Sequence, residues 1–248
     1  MATYTFTGKV MPERANVNIS VLSLTFQAKD AGFSGETIIS IACSQVSIKL
    51  DTPDTGVDLP TMKNYLGQIV RNLVDSYGYI SGRGYDIEIT SVVDPNGQQT
   101  VFGVGIRELE ESEDERPLSF RELFQVMLKS PHLRHALGDL REAIRSPSDT
   151  GFYCYRAVEC LRQHFREAKD SNKNQSWKRL RQNLRIDRSW IKPLENCSKE
   201  QRHGSSPYMS GENRIRLMKH AWKVIDRFCV YINRNSQPLS DSEFDVLK

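Results

Sequence analysis

Two periods of apolar residues divide the chain. In the first hundred residues apolar and polar positions alternate: TYTFT (3–7) and VNISV (17–21) do so, and TIISIACSQVSIKL (37–50) is long, β-branched and suited to a sheet. The period becomes helical over PTMKNYLGQIVRNLVDSYG (60–78), where Met62, Leu66, Ile69, Leu73 and Tyr77 recur at steps of three and four and Pro60 fits a first turn. YDIEITSVV (85–93) and TVFGVGI (100–106) flank Asp94-Pro95-Asn96-Gly97, a hairpin signal. The expectation is a small mixed sheet-plus-helix domain over residues 1–106.

RELEESEDERP (107–117) crowds charge with almost nothing apolar, so an acidic, solvated linker is expected there. From residue 118 the pattern is helical. Ser119 and Glu122 form a capping box in front of LFQVMLKSPHLRHALGDLREAI, which Pro131 kinks or splits. A second helix begins near Thr150 and sets Cys154, Val158, Leu161 and Phe165 on one face. A third segment, 176–204, is interrupted near Pro193 and ends at Gly204. The fourth, 211–235, places Ile215, Met218, Trp222, Ile225, Cys229 and Ile232 on one side. The predicted class is therefore α+β: the N-terminal domain, then an all-α bundle of four to five helices over 118–236 and a C-terminal tail over 237–248.

The 248 residues, 38% of them hydrophobic, suffice for two cores. No apolar run approaches the roughly 18 residues that span a bilayer, and MATYTFTGKV lacks a basic segment followed by an apolar one. A soluble, cytoplasmic protein without membrane contact is expected. Cys43, Cys154, Cys160, Cys197 and Cys229 fit neither a metal knuckle nor a disulfide framework and read as reduced thiols. No cofactor or metal is expected; His132 and His135 lack further ligands and read as surface residues.

The net charge of +3 hides an asymmetry. Residues 1–119 hold 9 Lys and Arg against 16 Asp and Glu, whereas residues 120–248 hold 25 against 15. The basic half is the candidate to meet phosphates. Arg216, His220, Lys223, Arg227 and Arg234 form a stripe along the last helix, and Lys178, Arg179, Arg181, Arg185 and Arg188 are interleaved with Trp177 and Trp190, as a single-stranded nucleic acid would use. A solvated helix face, and tryptophans in the core, are the plainer alternatives. His203 lies beside Arg202 in QRHG; an imidazole to move a proton and a guanidinium to hold charge are the minimum for metal-independent RNA cleavage by the 2′-hydroxyl, although a histidine at a helix end is more often structural. Motifs of nucleotide hydrolysis, dinucleotide binding, zinc proteolysis and serine esterases are absent, and Cys197 with His203 lacks a third orienting residue.

YRAVECLRQHF, an arginine-rich helix, QRHG and RLMKHAWKVIDRFCVYI, in that order, resemble the HEPN superfamily over about residues 119–236. The resemblance implies a helical bundle acting as a metal-independent endoribonuclease of a toxin or antiviral defence system, usually as a homodimer through the bundle; other members bind nucleotides or partners without cleaving. It assigns His203 as acid or base. In the family an arginine lies a short way upstream of that histidine; here Cys197 and Ser198 occupy its place, leaving Arg202 and, with His220 as a second match six positions later, Arg214. The partners so implied are RNA, with tRNA among the candidates, and a protein trigger at the N-terminal domain. The alternative is a non-catalytic HEPN-like module that binds RNA, a nucleotide or a protein.

Overall fold

The computed structural model describes residues 1–110, 116–203 and 209–248, and the chain forms two compact units, Met1–Gly103 and Val104–Lys248. The first is a six-stranded antiparallel sheet with one helix. Its strands are β1 (Ala2–Met11), β2 (Ile19–Ala28), β3 (Phe33–Ala42), β4 (Gln45–Thr52), β5 (Asp86–Val93) and β6 (Gln99–Val101), in the order β2-β3-β4-β1-β5-β6. Alternation carries one side of each strand into the core: Phe6 of β1 is fully buried between Ile48 of β4 and Val92 of β5. Helix α1 (Leu59–Ser81) is capped by Asp58, whose carboxylate accepts from the Thr61 amide at 2.9 Å, and stopped by left-handed Gly82. Its buried row is Met62, Leu66, Val70, Val74 and Gly78; the expected Ile69 and Leu73 flank this row, and Tyr77 is exposed.

The segment 37–50 is not one strand. Cys43 and Ser44 both take positive φ, 50° and 63°, and turn β3 back into β4. Such a conformation costs a non-glycine residue about 1–2 kcal/mol. Hydrogen bonds from distant parts of the chain offset it: the Ser44 amide donates to the Val17 carbonyl at 2.8 Å, the Val17 amide to Ser44 Oγ at 2.9 Å, and the Cys43 amide to Asn18 Oδ1 at 2.8 Å. The Asp94–Gly97 hairpin is as expected, with Asp94 accepting from the amides of Asn96 and Gln98.

The second unit is a bundle of α2 (Arg107–Glu110), α3 (Phe120–Lys129), α4 (Pro131–Arg145), α5 (Thr150–His164), α6 (Lys173–Leu184), α7 (Arg188–Arg202) and α8 (Gly211–Asn233). The capping box at Ser119 and Glu122 starts α3, and Pro131 splits α3 from α4 with Ser130 capping the latter. Helix α8 is the centre: Leu217, Met218, Ala221, Val224, Ile225 and the run Phe228–Ile232 are all buried.

Three expectations are corrected. The segment 176–204 breaks at 185–187, where Arg185 is left-handed (φ 54°) and Asp187 caps α7, while Pro193 lies inside α7. The described part of the expected linker packs: Leu109 is buried in the bundle core and Arg116 pairs with Asp226 at 3.2 Å; residues 111–115 lie outside the described residues, as does Gly204. The tail 237–248 belongs to the bundle. Leu239 is buried, Phe244 and Leu247 pack on the core, and Leu247 bridges Ile186 in parallel.

Two predictions follow from these contacts. A Cβ on Gly8 would overlap the Glu88 carbonyl oxygen of β5, so Gly8→Ala is expected to destabilise the sheet unit by about 1–3 kcal/mol. Urea unfolding followed by far-ultraviolet circular dichroism should show it, with tryptophan fluorescence unmoved, since Trp177, Trp190 and Trp222 all lie in the bundle. In the bundle, His164 lies edge-on to Phe165, Phe228, Tyr231 and His132, and burial first, then the facing imidazole, holds its pKa below the ordinary value of about 6.5. The unfolded chain then takes up the proton first, so bundle stability is present above about pH 6.5 and declines as pH falls below it. His164→Phe should flatten that decline in urea titrations followed by fluorescence.

Candidate nucleic-acid interface

Helices α6 and α7 are consecutive, joined by three residues. Asn172 starts α6 by accepting from the Asn174 amide at 2.9 Å. Asp187 starts α7, accepting at Oδ1 from the Ser189 amide at 2.8 Å and from its hydroxyl at 2.7 Å. Helical spacing then aligns Lys173, Asn174, Trp177 and Arg181 on one side and Arg188, Ile191, Lys192 and Glu195 on the other. Between them lies a groove of about 300 Å³ whose floor includes Tyr155 of α5. The Tyr155 and Trp177 rings stack with centroids 6.0 Å apart, and the Arg162 guanidinium lies over the Trp177 ring at 5.6 Å.

The groove is electropositive. Lys173, Arg181, Arg188 and Lys192 face one carboxylate, Glu195, which is itself paired with Lys199 at 3.2 Å. Among the described residues none of the four cations has an ion-pair partner. Burial, then the nearby Arg188 charge, pulls the Arg181 pKa down; Asp187 opposes this from a distance while its carboxylate serves the cap. Like charges held together in a partly dry recess favour an anionic ligand.

Other basic residues expected to meet RNA are committed to the fold. Arg179 donates to the Phe165 carbonyl at 2.8 Å and pairs with Asp170. Arg185 donates to the Phe244 carbonyl at 2.6 Å and pairs with Asp241. Arg227 donates to the carbonyls of Leu184, Arg185 and Asp245, and Arg234 pairs with Glu243 at 2.7 Å. The last helix therefore presents no continuous free stripe. Arg216, Lys178 and Lys223 are exposed on their helices, outside the groove.

Of the residues expected to be catalytic, Arg214 and His220 are engaged within the bundle. His203 caps α7 and is exposed. The Arg202 side chain lies outside the described residues. Arg214 donates to Thr150 Oγ1 at 2.8 Å and to the carbonyls of Ala143 and Ile144 at 3.3 and 2.9 Å, which makes it a clasp on the C-terminus of α4. His220 stacks on Trp190 with centroids 4.1 Å apart; its Nδ1 lies 2.9 Å from the Trp190 carbonyl, and Trp190 Nε1 donates to the His220 carbonyl at 3.1 Å. That reciprocal clamp joins α7 to α8. Burial pushes the Cys154 thiol up to about 12 and raises Cys197, so neither is poised as a thiolate.

Lys173 and Lys192 were not singled out from the sequence, and Arg188 was not separated from its neighbours as part of a site. Their signal is the recurrence 173–177–181 facing 188–192, which reads as a groove only once the turn is placed at 185–187. Among the described residues no group of His, Cys, Asp and Glu could hold a metal, and no helix is long and apolar enough to cross a membrane.

Fold and site together define a two-domain α+β protein whose helical half carries a cationic groove. Residues 4–102 match the N-terminal domain, and residues 120–233 the C-terminal domain, of a family described as a domain of unknown function, DUF8168. Matched in order by both domains, the chain belongs to the DUF8168 family. No curated protein and no solved structure matches it.

Arg214→Ala is expected to lower the stability of the bundle by about 1–3 kcal/mol, because it strands buried acceptors at the end of α4. Denaturant unfolding followed by tryptophan fluorescence measures this; an unchanged midpoint would remove Arg214 from the fold and return it to the candidates for chemistry.

Proposed function

We propose that the helical unit is a HEPN-like module that binds single-stranded RNA in the α6–α7 groove without cleaving it, and that the sheet unit serves as the docking surface for a partner protein. One observation carries the reading: four cations converge on an aromatic-floored groove with no carboxylate paired to any of them among the described residues. The groove suits a flexible single strand, whose backbone meets the cations while bases lie against an apolar wall. Arg214 supports binding over cleavage, since its donors are directed at Thr150 and at the end of α4.

Affinity for a labelled oligoribonucleotide should fall steeply with salt, with a slope of log K on log salt near −3 if about four phosphates are neutralised. The double variant Arg181→Gln, Lys192→Gln should flatten that slope by about 1–1.5. Incubated in EDTA, the RNA should remain intact; cleavage that survives chelation and disappears in His203→Ala would replace this reading by the ribonuclease one.

A further inference from the structure

We propose that the Arg181–Arg188 end of the groove is a seat for a phosphate monoester on a nucleoside, the chemistry shared by a 5′-phosphorylated RNA end and a free nucleoside monophosphate. The inference deepens the RNA-binding reading and rests on it for the polymeric ligand. Three features of that end carry it.

The end is closed. Arg181 is one turn before the end of α6 and Arg188 is the first residue of α7, so the two flank the 185–187 connection. That connection is covered from the other side by the C-terminal segment: the Leu247 amide donates to the Arg185 carbonyl at 3.1 Å, the Asp187 amide to the Leu247 carbonyl at 2.8 Å, and Ile186 between them is buried. The corner that positions the two arginines is therefore fixed by backbone hydrogen bonds rather than left to a loose loop.

The charge is matched to a dianion. Two guanidiniums meet without an ion-pair partner among the described residues, and Asp187 already accepts two hydrogen bonds from Ser189. Each guanidinium presents a planar fork of donors complementary to a pair of phosphate oxygens. A monoester offers three terminal oxygens and close to two negative charges, whereas an internal diester offers two oxygens and one charge. Arg188 opens a fifteen-residue helix, so the positive end of the α7 dipole adds to the same spot.

The size fits one nucleoside. About 300 Å³ lies at the small end of ligand pockets, which run from about 300 to 1,000 Å³. Beyond the arginines, Trp177 and Ile191 supply apolar wall, and Lys192 and Lys173 are spaced along the outward course a following phosphate would take.

The test compares oligouridylates bearing a 5′-phosphate or a 5′-hydroxyl, labelled at the 3′ end, together with uridine 5′-monophosphate against uridine. Binding to the full chain is read by anisotropy and calorimetry. The 5′-phosphate should tighten binding about tenfold, as expected of charge-assisted hydrogen bonds. The preference should grow as pH rises through about 6, where the monoester gains its second charge. Arg188→Gln, at an exposed position whose loss does not threaten the fold, should abolish the preference; Arg181→Gln should do the same, and Lys219→Gln on the exposed surface of α8 should retain it. Equal, salt-sensitive affinity for both oligonucleotides would overturn the monoester seat and leave RNA binding standing. Arg188-dependent binding of uridine monophosphate without any RNA binding would support the seat and overturn the RNA reading. Binding of neither would overturn both.

Discussion

The bundle depends on one constraint: helix α8 is buried around most of its circumference over its C-terminal half, yet it carries arginines that cannot be left dry and unpaired. The structure resolves this by sending guanidiniums sideways into the ends of neighbouring helices. Arg214 reaches the last carbonyls of α4, and Arg227 reaches Leu184 and Arg185 where α6 ends. The device recurs outside α8: Arg134 donates to Met127 and Leu128 at the end of α3, and Arg179 to Phe165 at the end of α5. The final carbonyls of a helix lack intrahelical donors and carry the negative end of its dipole, so a guanidinium from another element satisfies both needs at once.

This changes what the positive charge of residues 120–248 means. A count of Lys and Arg treats every cation as available to a ligand, whereas much of this set is internal joinery between helices. Of what remains, the α6–α7 groove is the place where four cations line one recess and, among the described residues, none has an ion-pair partner. Only an arginine that the fold does not use is open to a ligand, a distinction that net charge cannot make. Arg214, the arginine at the expected interval from His220, is itself one of those the fold uses.

Features set by neighbouring residues were legible in the sequence. The Ser119–Glu122 capping box, the split at Pro131 and the Asp94–Gly97 hairpin each depend on side chains within a few positions, and each formed as expected. Features set by distant partners were not. The Cys43–Ser44 turn has no glycine and is held by Val17 and Asn18, so the two strands it joins read as one. The break at 185–187 is fixed partly by Leu247, about sixty positions later, so Pro193 drew the boundary away from its true place. Misplacing that turn hid the groove, because Lys173 and Lys192 line one recess only when α6 and α7 are separate helices. Trp190 and His220 showed as an aromatic and a base, but their mutual stacking required knowing that α7 lies against α8.

The parallel bridge between Ile186 and Leu247 ties the α6–α7 corner to a segment that follows the last helix in sequence. Ile186 is buried there, and Leu247 gives its amide to the Arg185 carbonyl and its carbonyl to the Asp187 amide. A connection of three residues is thus held by backbone pairing from about sixty positions away, so a change at Leu247 is felt at the corner that Arg181 and Arg188 flank.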